Sequence, residues 1–118
     1  MCRLSLVTVF VLISFKINCL FAQEWVIQTI DSSSGNCGWT SIALDSNNYP
    51  HISYSVNMIG GGHDLRYARW TGIDWVIQEV DTVYDAGYFT SIALDNDGYP
   101  HISYGAVSPP WTYLWLKY

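Results

Sequence analysis

The chain repeats itself. Trp25 to Tyr54 reads WVIQTIDSSSGNCGWTSIALDSNNYPHISY, and Trp75 to Tyr104 reads WVIQEVDTVYDAGYFTSIALDNDGYPHISY. The two stretches align at a constant offset of 50 without a gap, and 17 of 30 positions are identical. The blocks WVIQ, TSIALD and YPHISY carry nearly all of that identity. An ungapped repeat of this period limits the fold severely. Each copy must form the same supersecondary unit and bury its apolar surface on its neighbours.

Each period contains four short extended segments. In the first they are Trp25 to Ile30, Thr40 to Leu44, His51 to Val56 and Leu65 to Trp70. They are rich in β-branched and aromatic residues and are bounded by Gly, Asn, Asp and Ser, which is the pattern of strands and turns. No segment beyond residue 22 sustains a 3.6-residue apolar period. Asp45-Ser46-Asn47-Asn48 and Asp95-Asn96-Asp97-Gly98 occupy the same turn. Asn48 aligns with Gly98, and these two residue types best tolerate positive φ, so the pattern predicts a tight hairpin between TSIALD and PHISY. Thr71 to Asp74 predicts a second hairpin, between LRYARW and WVIQEV. Pro50 and Pro100 stand where a strand begins, a place that costs no ladder hydrogen bond.

Four antiparallel strands in roughly 40–50 residues is the unit of a β-propeller blade. The expected fold is therefore all-β, made of four-stranded antiparallel propeller blades. About two repeats of 50 residues give an incomplete propeller, since closure takes roughly four blades. Ser41 and Ala43, like Ser91 and Ala93, share one face of TSIALD, and small side chains suit an innermost strand near a crowded axis. The register follows: TSIALD inner, PHISY second, LRYARW third, WVIQEV outermost. An unattached outer strand, 24–30, precedes a blade over 40–80, and a partial blade over 90–118 lacks its outer strand. Leu116-Lys117-Tyr118 aligns with Leu65-Arg66-Tyr67 at an offset of 51.

Residues 1–22 have the order of an export signal: Arg3, then the apolar run Leu4 to Phe15, then a cleavage site after Ala22. Twelve apolar residues span roughly 18 Å as a helix, short of the ~30 Å hydrocarbon core. Cleavage, to which an uncleaved anchor is the alternative, leaves 96 residues at 23–118, with no membrane span, and places the protein outside the cell, in the periplasm or at the cell surface. The remaining basic residues are Arg66, Arg69 and Lys117 against ten acids, a net charge of −7. Such a surface repels phosphate backbones, which argues against nucleic acid as a partner. Half of the residues are hydrophobic, 16% are aromatic and only 13% are charged, the reverse of a disordered chain. Only Cys37 survives cleavage, so there is no disulfide framework, and burial is the expected fate of a lone thiol.

The order TSIALDNDGYPHISY, a strand ending in Asp, a tight turn and a second strand, resembles the repeats of secreted bacterial β-propellers. It is similar to the NHL pattern and to the kelch and sialidase-like propeller group. The sialidase Asp-box, Ser/Thr-x-Asp-x-Gly-x-Thr-Trp, is absent from both copies. Trp70-Thr71-Gly72-Ile73-Asp74-Trp75 resembles the Trp-x-Gly-x-x-Trp turn of fucose-binding propeller lectins. The resemblance spans nearly all of 23–118 and implies architecture more than activity, because propellers host many functions. It also implies that further blades are needed to close the ring. These belong to a longer chain, which a stop inside a strand favours, or to a homo-oligomer like that of two-blade lectins.

Asp45 and Asp95, His51 and His101, and Tyr54 and Tyr104 recur once per repeat. Recurrence points to structural work. Asp at a strand end bonds turn N–H groups, and the neighbouring His bonds a carbonyl. His63 follows Gly60-Gly61-Gly62 and is expected in solvent. Asp95-Asn96-Asp97-Gly98 has oxygen ligands at alternate positions, as in calcium loops, but its twin has one carboxylate and no bidentate Glu follows. No metal site and no cofactor are therefore expected. There is no nucleophile elbow, zinc-spaced His/Cys cluster or phosphate loop, which leans away from catalysis. The binding signal is aromatic with Arg: Arg66, Arg69, Trp70 and Trp75 around one hairpin, and Trp111 and Trp115 in the second repeat. A Trp face with an Arg donor suits the mixed apolar and hydroxyl surface of a sugar. The loop Met58 to His63 differs wholly from Ala106 to Trp111, and variable loops on a repeated scaffold usually set specificity. The leading expectation is an exported non-catalytic propeller module that binds a glycan or an extracellular protein. The alternatives are a piece of an extracellular glycosidase or lyase, or a structural repeat spacer.

Overall fold

The computed structural model describes residues 24–33, 35–110 and 113–118. The export segment and Trp111 lie outside the described residues. Seven strands form two antiparallel sheets, and the described residues contain no helix. In the first sheet β1 (Asn36–Leu44), β2 (Pro50–Asn57), β3 (His63–Trp70) and β4 (Trp75–Asp81) lie side by side in chain order. In the second, β5 (Asp85–Leu94), β6 (Pro100–Val107) and β7 (Leu114–Lys117) do the same. Neither sheet closes on itself.

The strand order of each repeat matches the sequence reading, and so do the turns. The Asn48 N–H donates to the Asp45 carbonyl at 2.9 Å, and Gly98 does the same to Asp95 at 3.0 Å. Asn48 and Gly98 both have positive φ, 62° and 83°. The Thr71 N–H donates to the Asp74 carbonyl at 3.0 Å, closing the β3–β4 hairpin. The first strand of each sheet starts earlier than composition suggests. β1 and β5 each cross a bulge, between Gly38 and Ser41 and between Tyr88 and Ser91. There the equivalent residues Trp39 and Phe89 adopt positive φ, 42° and 51°. A bulge bends and twists its strand, and a non-glycine residue in this region is held there by its surroundings.

One expected strand is missing. Residues 24–30 form no strand, and Trp25, Val26 and Ile27 are almost wholly exposed. The reason is topological. The β3 edge of the first sheet, where an outer strand pairs, is already occupied by β4. Two smaller expectations also change. Cys37 is exposed at the start of β1. His63 is not a loop residue in solvent but heads β3, where its N–H donates to Asp85 Oδ1 at 2.8 Å. Its ring lies 5.2 Å from Trp39 and 5.0 Å from Tyr88.

The sheets pack face to face. Register places His51, Ser53, Ser55, Leu65, Tyr67 and Arg69 on one face of the first sheet. Ile52, Tyr54, Arg66 and Ala68 share the other. The first of these faces receives the second sheet. Leu65 packs with Ala86, Ala106, Ile102 and Tyr104, and Thr90 donates its hydroxyl proton to Ser53 Oγ at 2.8 Å. The Ile92 N–H donates to Ser41 Oγ at 3.2 Å. The opposite face holds a second cluster, Tyr54, Val56 and Ala68, covered in part by Ile30 and Met58. Small side chains on β5 and β6 let the sheets approach. A Cβ on Gly87 would sit 3.1 Å from Leu65 Cα and 3.2 Å from Ser55 Cβ.

Candidate functional site

Each tight turn is built around its aspartate. Asp45 Oδ1 accepts the N–H groups of Asn47 at 2.8 Å and Tyr49 at 2.9 Å. Asp95 Oδ1 accepts those of Asp97 at 2.9 Å and Tyr99 at 2.8 Å. These backbone donors, led by Tyr49 and Tyr99, hold both carboxyls below the ordinary aspartate value. The second oxygen faces histidine: Asp45 Oδ2 lies 3.7 Å from His51 Nε2, and Asp95 Oδ2 lies 3.4 Å from His101 Nε2. The other ring nitrogen bonds a tyrosine hydroxyl, Nδ1 of His51 to Tyr67 and Nδ1 of His101 to Tyr118. The expected carbonyl partner is thus replaced by a tyrosine one strand further out. Each histidine thus sits between an aspartate and a tyrosine of its own sheet. Among the described residues no three His, Cys, Asp or Glu groups come together as a metal site.

A second constellation recurs at the outer side. The Tyr54 hydroxyl donates to Asp31 Oδ2 at 2.8 Å and Arg66 Nη1 donates to the same oxygen at 3.1 Å. Arg66 also donates to Ser33 Oγ, and Nη2 reaches the exposed Glu79 at 3.4 Å. In the second repeat the Tyr104 hydroxyl donates to Asp81 Oδ2 at 2.8 Å, and Lys117 Nζ donates to that oxygen at 2.7 Å. Burial raises the pKa of Asp31, but the bonds from Ser33, Tyr54 and Arg66 outweigh it and leave the carboxyl far below its usual range. Asp81 moves the same way, against burial, through Lys117, the Val83 N–H and Tyr104. Burial and the adjoining carboxylate push the Tyr104 hydroxyl up to about 12. Asp81 is the last residue of β4 in the first sheet, so this clasp ties one sheet to the next.

The sequence-selected binding residues among those described separate into four environments. Arg66 is buried and its guanidinium is engaged in the Asp31 clasp. Trp75 is half-buried, packs on the Tyr54 cluster and stacks at a tilt on Trp70 with ring centroids 5.6 Å apart. Trp115 is exposed on β7, edge-on to Tyr113 at 6.4 Å. Arg69 and Trp70 line a cleft of about 630 Å³ between the two tight turns. Asp45, Asn47, Asp95 and Asp97 complete its wall. Arg69 is exposed and has no ion-pair partner among the described residues, unlike Arg66 and Lys117. Tyr67, Tyr118, Asp31 and Asp81 did not stand out from the sequence. The signal for Asp31 and Asp81 was present, since they are the one identical pair outside the three repeated blocks. No protein-family model, curated protein or solved structure matches the chain.

Proposed function

We propose that the chain is an exported, non-catalytic module of β-propeller blades that binds a glycan or a protein partner outside the cell or at its surface. The observation that carries this reading is the cleft between the tight turns. It presents an exposed, unpaired guanidinium, Arg69, beside the half-buried indole of Trp70, with turn carboxylates and amides opposite. A fixed planar donor next to an aromatic face suits hydroxyl-rich rings and acidic or polar peptide groups. A four-stranded and a three-stranded repeat unit packed face to face support the blade reading, and the order of residues 1–22 supports export. Both histidines recur once per repeat between an aspartate and a tyrosine, the pattern of a contact that serves the repeated fold.

The test is a glycan array together with capture on immobilised extracellular polysaccharide and matrix protein. Arg69→Ala and Trp70→Ala each abolish binding while the circular dichroism spectrum stays that of the parent. Arg66→Lys, which keeps the buried charge, leaves binding intact. Binding that survives the loss of both Arg69 and Trp70 rules out this cleft.

A further inference from the structure

The two repeats strain the same position. Trp39 and Phe89 are equivalent, each lies in a bulge, and each holds positive φ, 42° and 51°. Bulky residues rarely adopt this region, and a bulge re-aims the side chain it carries. Here it turns Trp39 toward the second sheet. The indole becomes the hub of an aromatic cluster, with ring centroids 5.2 Å from His63, 4.8 Å from Tyr88 and 5.7 Å from Phe89. His63 and Tyr88 lie 5.0 Å from each other. With the second sheet packed against it, the indole still keeps 38% of its exposure. A strained backbone that holds a large ring against three others, yet leaves it open to solvent, is the setting of a contact residue.

The charge beside this cluster is negative. Asp85 Oδ1 accepts the His63 N–H at 2.8 Å, and burial followed by the Asp85 charge raises the Tyr88 hydroxyl above its ordinary value. Asp85 has no ion-pair partner among the described residues. The chain beyond residue 22 has three basic residues against ten acids. Arg66 lies on the opposite face of the first sheet, and Lys117 is bound to Asp81. Arg69 stands about 20 Å along β3 from His63. The loop before His63 closes in on the carboxylate. A Cβ on Gly62, at φ 98°, would lie 3.3 Å from Asp85 Oδ1. Four residues before His63 the same loop exposes Ile59, at 83%.

We infer that the Trp39 surface binds a basic segment of a partner protein, with a lysine or arginine side chain lying over the indole beside Asp85. An aromatic face attracts a cation through its quadrupole, and Trp does so most strongly. The carboxylate and the acid excess of the chain steer such a segment to the surface. A free small cation gains little from one partly exposed ring, whereas a peptide adds apolar contacts of its own on Tyr88 and Ile59. The bulge and the Arg69 cleft stand at opposite ends of β3, so either can fail without the other.

The experiment is calorimetric titration of the purified chain with a lysine-rich synthetic peptide, and with the same peptide carrying glutamate at each lysine. The lysine peptide binds, more weakly as salt rises, and the glutamate peptide does not. Trp39→Phe weakens lysine-peptide binding about threefold and Trp39→Leu about tenfold, because the face of Phe attracts a cation less than that of Trp and Leu has none. Asp85→Asn, which still accepts the His63 N–H, weakens it about fivefold. All three variants keep the parent's circular dichroism. Should Trp39→Leu unfold the chain, Trp39→Phe and Asp85→Asn carry the test. A parent that does not bind the lysine peptide, equal binding of the glutamate peptide, or Trp39 and Asp85 variants that bind like the parent overturn the inference. So does a Trp39→Phe variant that binds no better than Trp39→Leu.

Discussion

Asp31 and Asp81 make the same clasp with different amounts of water around the cation. The Arg66 side chain is 10% exposed and the Lys117 side chain 41%. Removing a carboxylate from a buried pair leaves an uncompensated charge, which costs about 3–5 kcal/mol. Removing it from a cation that turns to solvent costs mainly the lost bonds, about 1–3 kcal/mol. Asp31→Ala is therefore expected to lower the unfolding free energy more than Asp81→Ala, as read from urea titrations of the two variants. The pH dependence follows from the same groups. Both carboxyls have folded pKa values below the ordinary aspartate value of 3.8, so their stabilisation is present above that value. It is lost as pH falls through it toward the depressed folded values. Tyr104 acts at the other limit. Its folded value of about 12 exceeds the ordinary 10, so its contribution is intact below pH 10 and lost as pH rises through 12. Urea midpoints followed across both ranges should flatten in Asp81→Asn at the acid side and in Tyr104→Phe at the alkaline side.

At the scale of elements, backbone freedom decides where the sheets meet. Gly87 and Gly98 both sit at positive φ, 90° and 83°. A Cβ at Gly98 meets nothing within 4 Å, whereas one at Gly87 presses on the Leu65 backbone. Gly98→Ala is expected to cost about 1 kcal/mol, the penalty of the left-handed region alone. Gly87→Ala adds overpacking of typically 1–3 kcal/mol. Asn48→Gly, at the twin of Gly98, should be close to neutral; thermal melts of the three variants check the order. The hairpin positions were legible in the sequence because turn chemistry is local: Asp, then Asn or Gly, between two alternating apolar runs. Strand order was legible because the repeat shows which segments recur between consecutive turns. The bulges at Trp39 and Phe89 were not, since nothing local marks an aromatic residue for positive φ. The tyrosine partners of His51 and His101 were hidden for a different reason. Cross-strand neighbours depend on register, and the second repeat slips from an offset of 50 to 51 before Tyr118.

At the scale of the molecule, two copies of TSIAL report what lies against them. The sequence alone assigns Ile42 and Ile92 the same role, because they share every neighbour within the pentapeptide. The fold separates them, since only Ile92 has a sheet against it. Truncating a buried isoleucine to alanine costs about 2–5 kcal/mol, whereas an exposed one changes stability by about 0.5 kcal/mol. In dilute, monomeric protein Ile92→Ala should therefore unfold at much lower urea than the parent, and Ile42→Ala should match the parent.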